Sequence, residues 1–164
     1  GWNDNRTGAI KTNGELWMWG ANHNGQLGVN NDTDYSSPVQ VPGTTWKEVA
    51  ADAPTILATK TDGTLWAWGK NEYGQLGQNS SGDNAHKSSP TQIPGTSWSR
   101  PFSYTGGSMY ALRTDGSLWA WGYGEEGQLG LNNVTKYSSP TQVPGTWYDL
   151  SSVRGDAIAA LKEV

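Results

Sequence analysis

The chain has 164 residues, a net charge of −4 and a pI near 5.0; that is room for one domain with a sizeable core, and the acidic balance argues against nucleic acid or an anionic membrane surface as the main partner. It contains no cysteine, which excludes disulfides, thiol catalysis and Cys-ligated metals, and no apolar run approaches the ~20 residues that span a bilayer. Ten Trp and seven Tyr carry the aromatic burial against one Phe, while 22 Gly and 8 Pro mark a turn-dense chain.

The elements repeat in chain order. The run "AIKTNG" at 9–14 reads as a strand ending in a turn at Asn13-Gly14. An Asn-Gly pair between apolar runs predicts a type I′ hairpin, with positive φ at both central residues. "LWMW" follows at 16–19 without polar alternation, so both faces of that strand are expected to be covered. Gly20, Gly25 and Gly28 punctuate a tight connection, and the loop "VNNDTDY" (29–35) leads into "SSPVQVPG", a short strand bounded by prolines and suited to a sheet edge. "TTWKEVA" at 44–50 supplies a further strand.

The same series returns as "ATKTDG" (58–63), "LWAW" (65–68) and "SSPTQIPGTSW" (88–98), then as "ALRTDG" (111–116), "LWAW" (118–121) and "SSPTQVPGTW" (138–147). The matching glycines Gly14, Gly63 and Gly116 give periods of 49 and 53 residues. We expect one repeat domain over 1–164, with units at about 9–57, 58–110 and 111–159 and a further unit begun at 160–164. The N-terminal unit lacks a "TTWKEVA"-like strand before it, and the C-terminus offers a spare one. An incomplete arc completed by other polypeptide is therefore expected.

About four short strands per ~50 residues is the pattern of a propeller blade. The composite "GxLWAWGxNxxGQLG … SPTQVPG…W" resembles the regulator-of-chromosome-condensation repeat, the unit of a seven-bladed β-propeller. The resemblance implies an all-β fold of four-stranded antiparallel blades, here an arc of about three. It implies much less about activity, since one fold hosts many functions: members act as guanine-nucleotide exchangers on chromatin, as adaptor domains and as a secreted bacterial inhibitor of β-lactamase. For the exchanger role this chain shows no basic tail and no long wedge-like insertion.

Residues present in every unit read as scaffold. Trp17, Trp66 and Trp119 are equivalent, as are Trp19, Trp68 and Trp121, and Trp46, Trp98 and Trp147. They are expected to wedge between blades, each indole N–H on a backbone carbonyl. Gln26, Gln75 and Gln128 are expected to bond two backbone groups each. Only Trp2 stands outside the pattern.

Function is then expected where the units differ, in loops on a rigid frame. The candidates are His23 and Asn24 in "ANHN"; Lys70, Glu72 and Tyr73 in "KNEY"; and Tyr123, Glu125 and Glu126 in "YGEE". Tyr35, His86 and Tyr137 lie in the following loops, and Tyr104 in "PFSYTGG" (101–107). Neither histidine has a His or Cys neighbour for a metal pair. "NNDTD" (30–34) is calcium-like in acidity but lacks EF-hand spacing. The triplets at Asn5, Asn31, Asn79 and Asn133 match the glycosylation acceptor pattern, and Arg154-Gly155-Asp156 matches an adhesion tripeptide; both recur by chance in such loops.

No acid, base and nucleophile converge in the sequence, so no enzyme activity, cofactor or metal is expected. The partner is expected to be a protein or copies of this chain, with no nucleic acid and no membrane insertion. The alternative is a structural or adhesive component of a virion appendage or bacterial surface, with carbohydrate binding through loop tyrosines. An extracellular, cell-surface or virion setting is favoured over the cytoplasm.

Overall fold

The computed structural model describes residues 5–51, 53–82, 85–104, 106–153 and 157–162. The first sheet contains β1 (Arg6–Ile10), β2 (Leu16–Gly20) and β3 (Tyr35–Gln40). The second holds β4 (Trp46–Ala50), β5 (Thr55–Lys60), β6 (Leu65–Gly69) and β7 (Lys87–Ile93), side by side in that order. The third repeats it with β8 (Trp98–Ser103), β9 (Ser108–Arg113), β10 (Leu118–Gly122) and β11 (Tyr137–Val143), and a hairpin of β12 (Trp147–Val153) and β13 (Ala157–Lys162) begins a fourth. Every pairing is antiparallel. The molecule is an open arc of propeller blades. Trp2, Arg154-Gly155-Asp156 and the last two residues of the fragment "AALKEV" lie outside the described residues.

The sheets begin at Trp46, Trp98 and Trp147, so each takes its first strand from one sequence repeat and its other strands from the next. Pro38, Pro90 and Pro140 fall inside β3, β7 and β11, the outer strand of their sheets, where a missing N–H breaks no ladder.

The "LWAW" strands show why both faces had to be apolar. In β6, Leu65 and Ala67 join the core against the third sheet, with Leu57, Ile93, Met109 and Trp121. Trp68, one residue on, joins Leu16, Met18, Leu27 and Ile56 against the first sheet. β10 divides the same way, Leu118 and Ala120 packing toward Leu150 and Trp121 toward the second sheet. Side chains alternate across a strand, so one strand serves two interfaces. Each large side chain buried this way contributes about 1.5–3 kcal/mol. On β2 the matching residues Trp17 and Trp19 face the side where no preceding sheet is described, and both are only half-buried.

Two features differ from the sequence expectation. The hairpins are not type I′: Gly14, Gly63 and Gly116 have φ near +80° (81, 78 and 78), but Asn13, Asp62 and Asp115 are not in the left-handed region. Gly14 N–H donates to Lys11 O and Lys11 N–H to Glu15 O, the pattern of a three-residue loop with its glycine as a bulge. The carboxylate Oδ1 of Asp62 and of Asp115 accepts the backbone N–H two residues on, at 3.0 and 2.9 Å, which holds these residues in the three-residue turn. The ladders also carry bulges at matching places, between Ala67 and Gly69 and between Trp46 and Glu48. At Gly69, with φ +96°, a Cβ would run into the Pro54 carbonyl oxygen, so glycine is required there.

Candidate functional site

The rim of variable loops is built on a staple that the sequence reading did not single out. Asn22 is fully buried; its Oδ1 accepts Leu27 N–H at 2.8 Å, and its Nδ2 donates to Asn31 O at 2.8 Å and Thr33 O at 3.0 Å. Asn71 repeats this with Leu76 N–H at 2.9 Å and Ser80 O at 3.0 Å. The signal was present as the shared Asn of "ANHN" and "KNEY". The third unit has Gly124 instead, where a Cβ would meet Thr135 O and Leu129.

On this frame the loops of the second and third sheets bring together Tyr73 and Tyr123, ring centroids 5.0 Å apart and tilted by 51°. Lys136 Nζ sits 5.0 Å from the Tyr73 centroid and 5.8 Å from that of Tyr123, and pairs with Glu125 at 3.1 Å. Lys70 pairs with Glu72 at 2.6 Å. The Lys70 ammonium, then the Tyr73 hydroxyl, holds the Glu72 carboxyl below its ordinary pKa, and that carboxylate in turn raises the Tyr73 phenol. Partial desolvation, then Glu125, raises Tyr123. Two half-buried phenols flanked by matched ion pairs make a surface suited to binding, and Tyr73 is an inter-blade contact rather than a free surface residue.

The remaining candidates scatter. His23 Nδ1 lies 3.7 Å from Asp34 and His86 Nε2 3.9 Å from Asp32, so two blades turn their histidines to one acidic loop. Asp34 Oδ1 also accepts Asn22 N–H at 2.8 Å, and among the described residues no group of three His, Cys, Asp or Glu could hold a metal. Tyr35 and Tyr137 accept from Asn31 and Asn133 Nδ2 at 3.2 and 2.9 Å, so the amides of those two glycosylation triplets are engaged within their loops. Asn24 and Glu126 contribute backbone N–H groups to Gln26 and Gln128 Oε1, at 2.8 and 2.9 Å. Tyr104 is the exception: it is half-buried in the turn between β8 and β9, whose Gly107 donates to Tyr104 O at 2.9 Å, accepts Tyr123 N–H at 3.0 Å and lies against the Tyr73 ring.

The repeated tryptophans sort into three kinds. Trp68 Nε1 donates to Gln26 O at 2.8 Å and Trp121 Nε1 to Gln75 O at 2.7 Å, in each case across the blade interface. Trp19 is their equivalent on the first sheet. Trp17, Trp66 and Trp119 differ from the expectation: their N–H groups go to side chains two residues back, Glu15 at 3.1 Å, Thr64 at 2.9 Å and Ser117 at 3.0 Å. These rings share a strand face with Trp68 and Trp121 but stand two residues earlier, beside the Glu15, Thr64 and Ser117 side chains that take their N–H groups. Trp46 donates to Pro42 O at 3.2 Å, whereas the buried Nε1 atoms of Trp98 and Trp147 have no hydrogen-bond partner among the described residues. The glutamines also do less than expected, each Oε1 accepting one backbone N–H; Gln75 takes Tyr73 N–H at 2.7 Å, and Gln26 Nε2 is buried without a partner.

An all-β arc of four-stranded blades with tryptophans locked between them defines a propeller-repeat protein. The regulator of chromosome condensation (RCC1) repeat model matches residues 13–51, 62–111 and 115–147, and the chain belongs to that family. Among solved structures it is similar to human WBSCR16, at 25% identity and a TM-score of 0.74, covering 85% of this chain and 35% of that one. Prp20p from Saccharomyces cerevisiae, described with its binding to Gsp1p and histones, gives 22% identity and a TM-score of 0.73 over 87% of this chain and 37% of that one. Yeast RCC1 (Prp20) bound to Kap60 gives 22% and 0.72 over 87% and 36%. The chain thus spans about a third of the length of these structures, with shares of 35, 37 and 36%. A search of the curated proteins gives no match.

Proposed function

We propose that this chain is a non-catalytic protein-binding propeller module that works through the variable loops of one rim. The Tyr73–Tyr123 pair with Lys136 above it carries the reading. Tyrosine supplies large contact area at low entropic cost, and half-buried aromatics ringed by polar groups are the usual anchors of protein interfaces. That Prp20p binds Gsp1p and histones, and yeast RCC1 binds Kap60, supports a protein as the partner class. The test compares capture by the parent chain and by Tyr123→Ala, with folding checked by thermal melt. Proteins retained equally by both count against the reading; one lost with the variant and restored by Tyr123→Phe supports it.

A second reading is favoured by the half-buried Trp17 and Trp19 and by the outer edge of β1, which no strand among the described residues pairs with. Such a flank suits a strand supplied by other polypeptide, in a homo-oligomer or a larger propeller, as in a structural component of a virion appendage or cell surface. Light scattering separates the two readings: a monodisperse 17.7 kDa monomer that melts cooperatively rules out the second.

A further inference from the structure

The outer clefts between successive sheets are two versions of one design. In the first, Val29, Trp46 and Trp66 belong to one core cluster between the first two sheets, and Lys60 Nζ lies 4.7 Å from Trp46 and 4.1 Å from Trp66. Its polar groups are engaged internally. Trp46 N–H is taken by Pro42 O at 3.2 Å, and the Ser89 hydroxyl donates across the cleft to Asn30 Oδ1 at 3.2 Å.

The second cleft, about 350 Å³, has Gln78 and Asn79 where the first has Val29 and Asn30, and Arg113 where the first has Lys60. The guanidinium is held between two indoles, 4.3 Å from Trp98 and 4.4 Å from Trp119, which stand edge to face at 6.0 Å. Here fewer polar groups are engaged: Gln78 Nε2 donates to Gln92 O at 2.8 Å, and no hydrogen bond among the described residues uses its Oε1. Trp98 is 2% exposed, and among the described residues neither its Nε1 nor the Arg113 Nε has a hydrogen-bond partner. Among the described residues Asn79 and Ser139 make no bond to each other, and no carboxylate lines the cleft. Asp115, the acid nearest in sequence to Arg113, has its Oδ1 taken by the Ser117 hydroxyl at 2.6 Å and backbone N–H at 2.9 Å.

We propose that this second cleft binds an acidic sugar, a uronic-acid unit. The carboxylate is received by Arg113, whose planar fork suits it where a lysine would not. The Trp98 N–H, the Gln78 Oε1 and the side chains of Asn79 and Ser139 serve the ring hydroxyls. Pro94, Pro140 and the half-buried Trp119 ring wall the C–H faces. The volume is at the small end for a ligand site. None of the Tyr73, Tyr123 and Lys136 group lines this cleft, so the proposal does not depend on the protein-binding reading.

The test is a titration of the full chain with glucuronate, followed by tryptophan fluorescence and saturation-transfer NMR, with glucose and acetate as controls. Glucuronate is expected to saturate the chain about tenfold or more tightly than either control. Arg113→Lys and Gln78→Val convert the second cleft toward the first, a version the fold already accommodates. Each should keep the parent melting curve, with Arg113→Lys weakening glucuronate by about tenfold. Equal binding of glucose or acetate, no saturation by glucuronate, or unchanged affinity in both folded variants overturns the proposal.

Discussion

Removing Trp68 tests whether the blade interface is the seat of stability. Its side chain is fully buried between the first two sheets, and aromatic-to-alanine changes at such sites cost about 3–5 kcal/mol. The Gln26 carbonyl would also lose its 2.8 Å donor, which adds about 1 kcal/mol. Trp68→Ala is therefore expected to cost about 4–6 kcal/mol, a large share of the ~5–15 kcal/mol typical of a domain. At about 2–4 °C per kcal/mol, Tm falls by roughly 10–20 °C. The control is Trp66→Ala, two residues away on the same face. That ring is half-buried, its N–H is held by Thr64 in its own blade at 2.9 Å, and Lys60 lies 4.1 Å above it. Its loss is expected to cost about 1–2 kcal/mol. Urea unfolding followed by circular dichroism reads both. If the two variants agree within about 0.5 kcal/mol, the assignment of stability to the cross-blade indole is wrong.

Gly28→Ala should destabilise by about 1–3 kcal/mol, because the residue sits at φ +70° and its Cβ would come within 2.8 Å of Trp68 Nε1; chemical denaturation measures it. The carboxyls of Asp62 and Asp115 are held below their ordinary value of 3.8, first by the Thr64 and Ser117 hydroxyls. A depressed folded pKa stabilises above the unfolded value and is lost as pH falls through the folded one, so the Asp62→Asn/Asp115→Asn double variant should lose less Tm than the parent below pH about 4. Thermal melts with and without a chelator should coincide, since Asp34 Oδ1 is engaged by Asn22; a fall of many degrees would restore "NNDTD" as a calcium loop.

The sequence alone determined the repeat, the strand content, the edge position of the proline-containing strands and the apolarity of both faces of "LWAW". Each is a local consequence of side-chain period and backbone chemistry. Spacing could not show which tryptophan meets which carbonyl. Trp66 and Trp68 are the same residue two positions apart, and only the neighbouring blade, 42 residues back at Gln26, separates their roles. The hairpin type also escaped, because an Asp-Gly pair fits two turns and the Asp side-chain bond to the residue two positions on, at 3.0 Å for Asp62, favours the longer one. The loop candidates were legible only as variable positions. That Tyr73 meets Tyr123 across a blade boundary, or that Arg113 stands between Trp98 and Trp119, follows from how sheets stack. Stacking brings residues together through space, and a one-dimensional pattern does not record that distance.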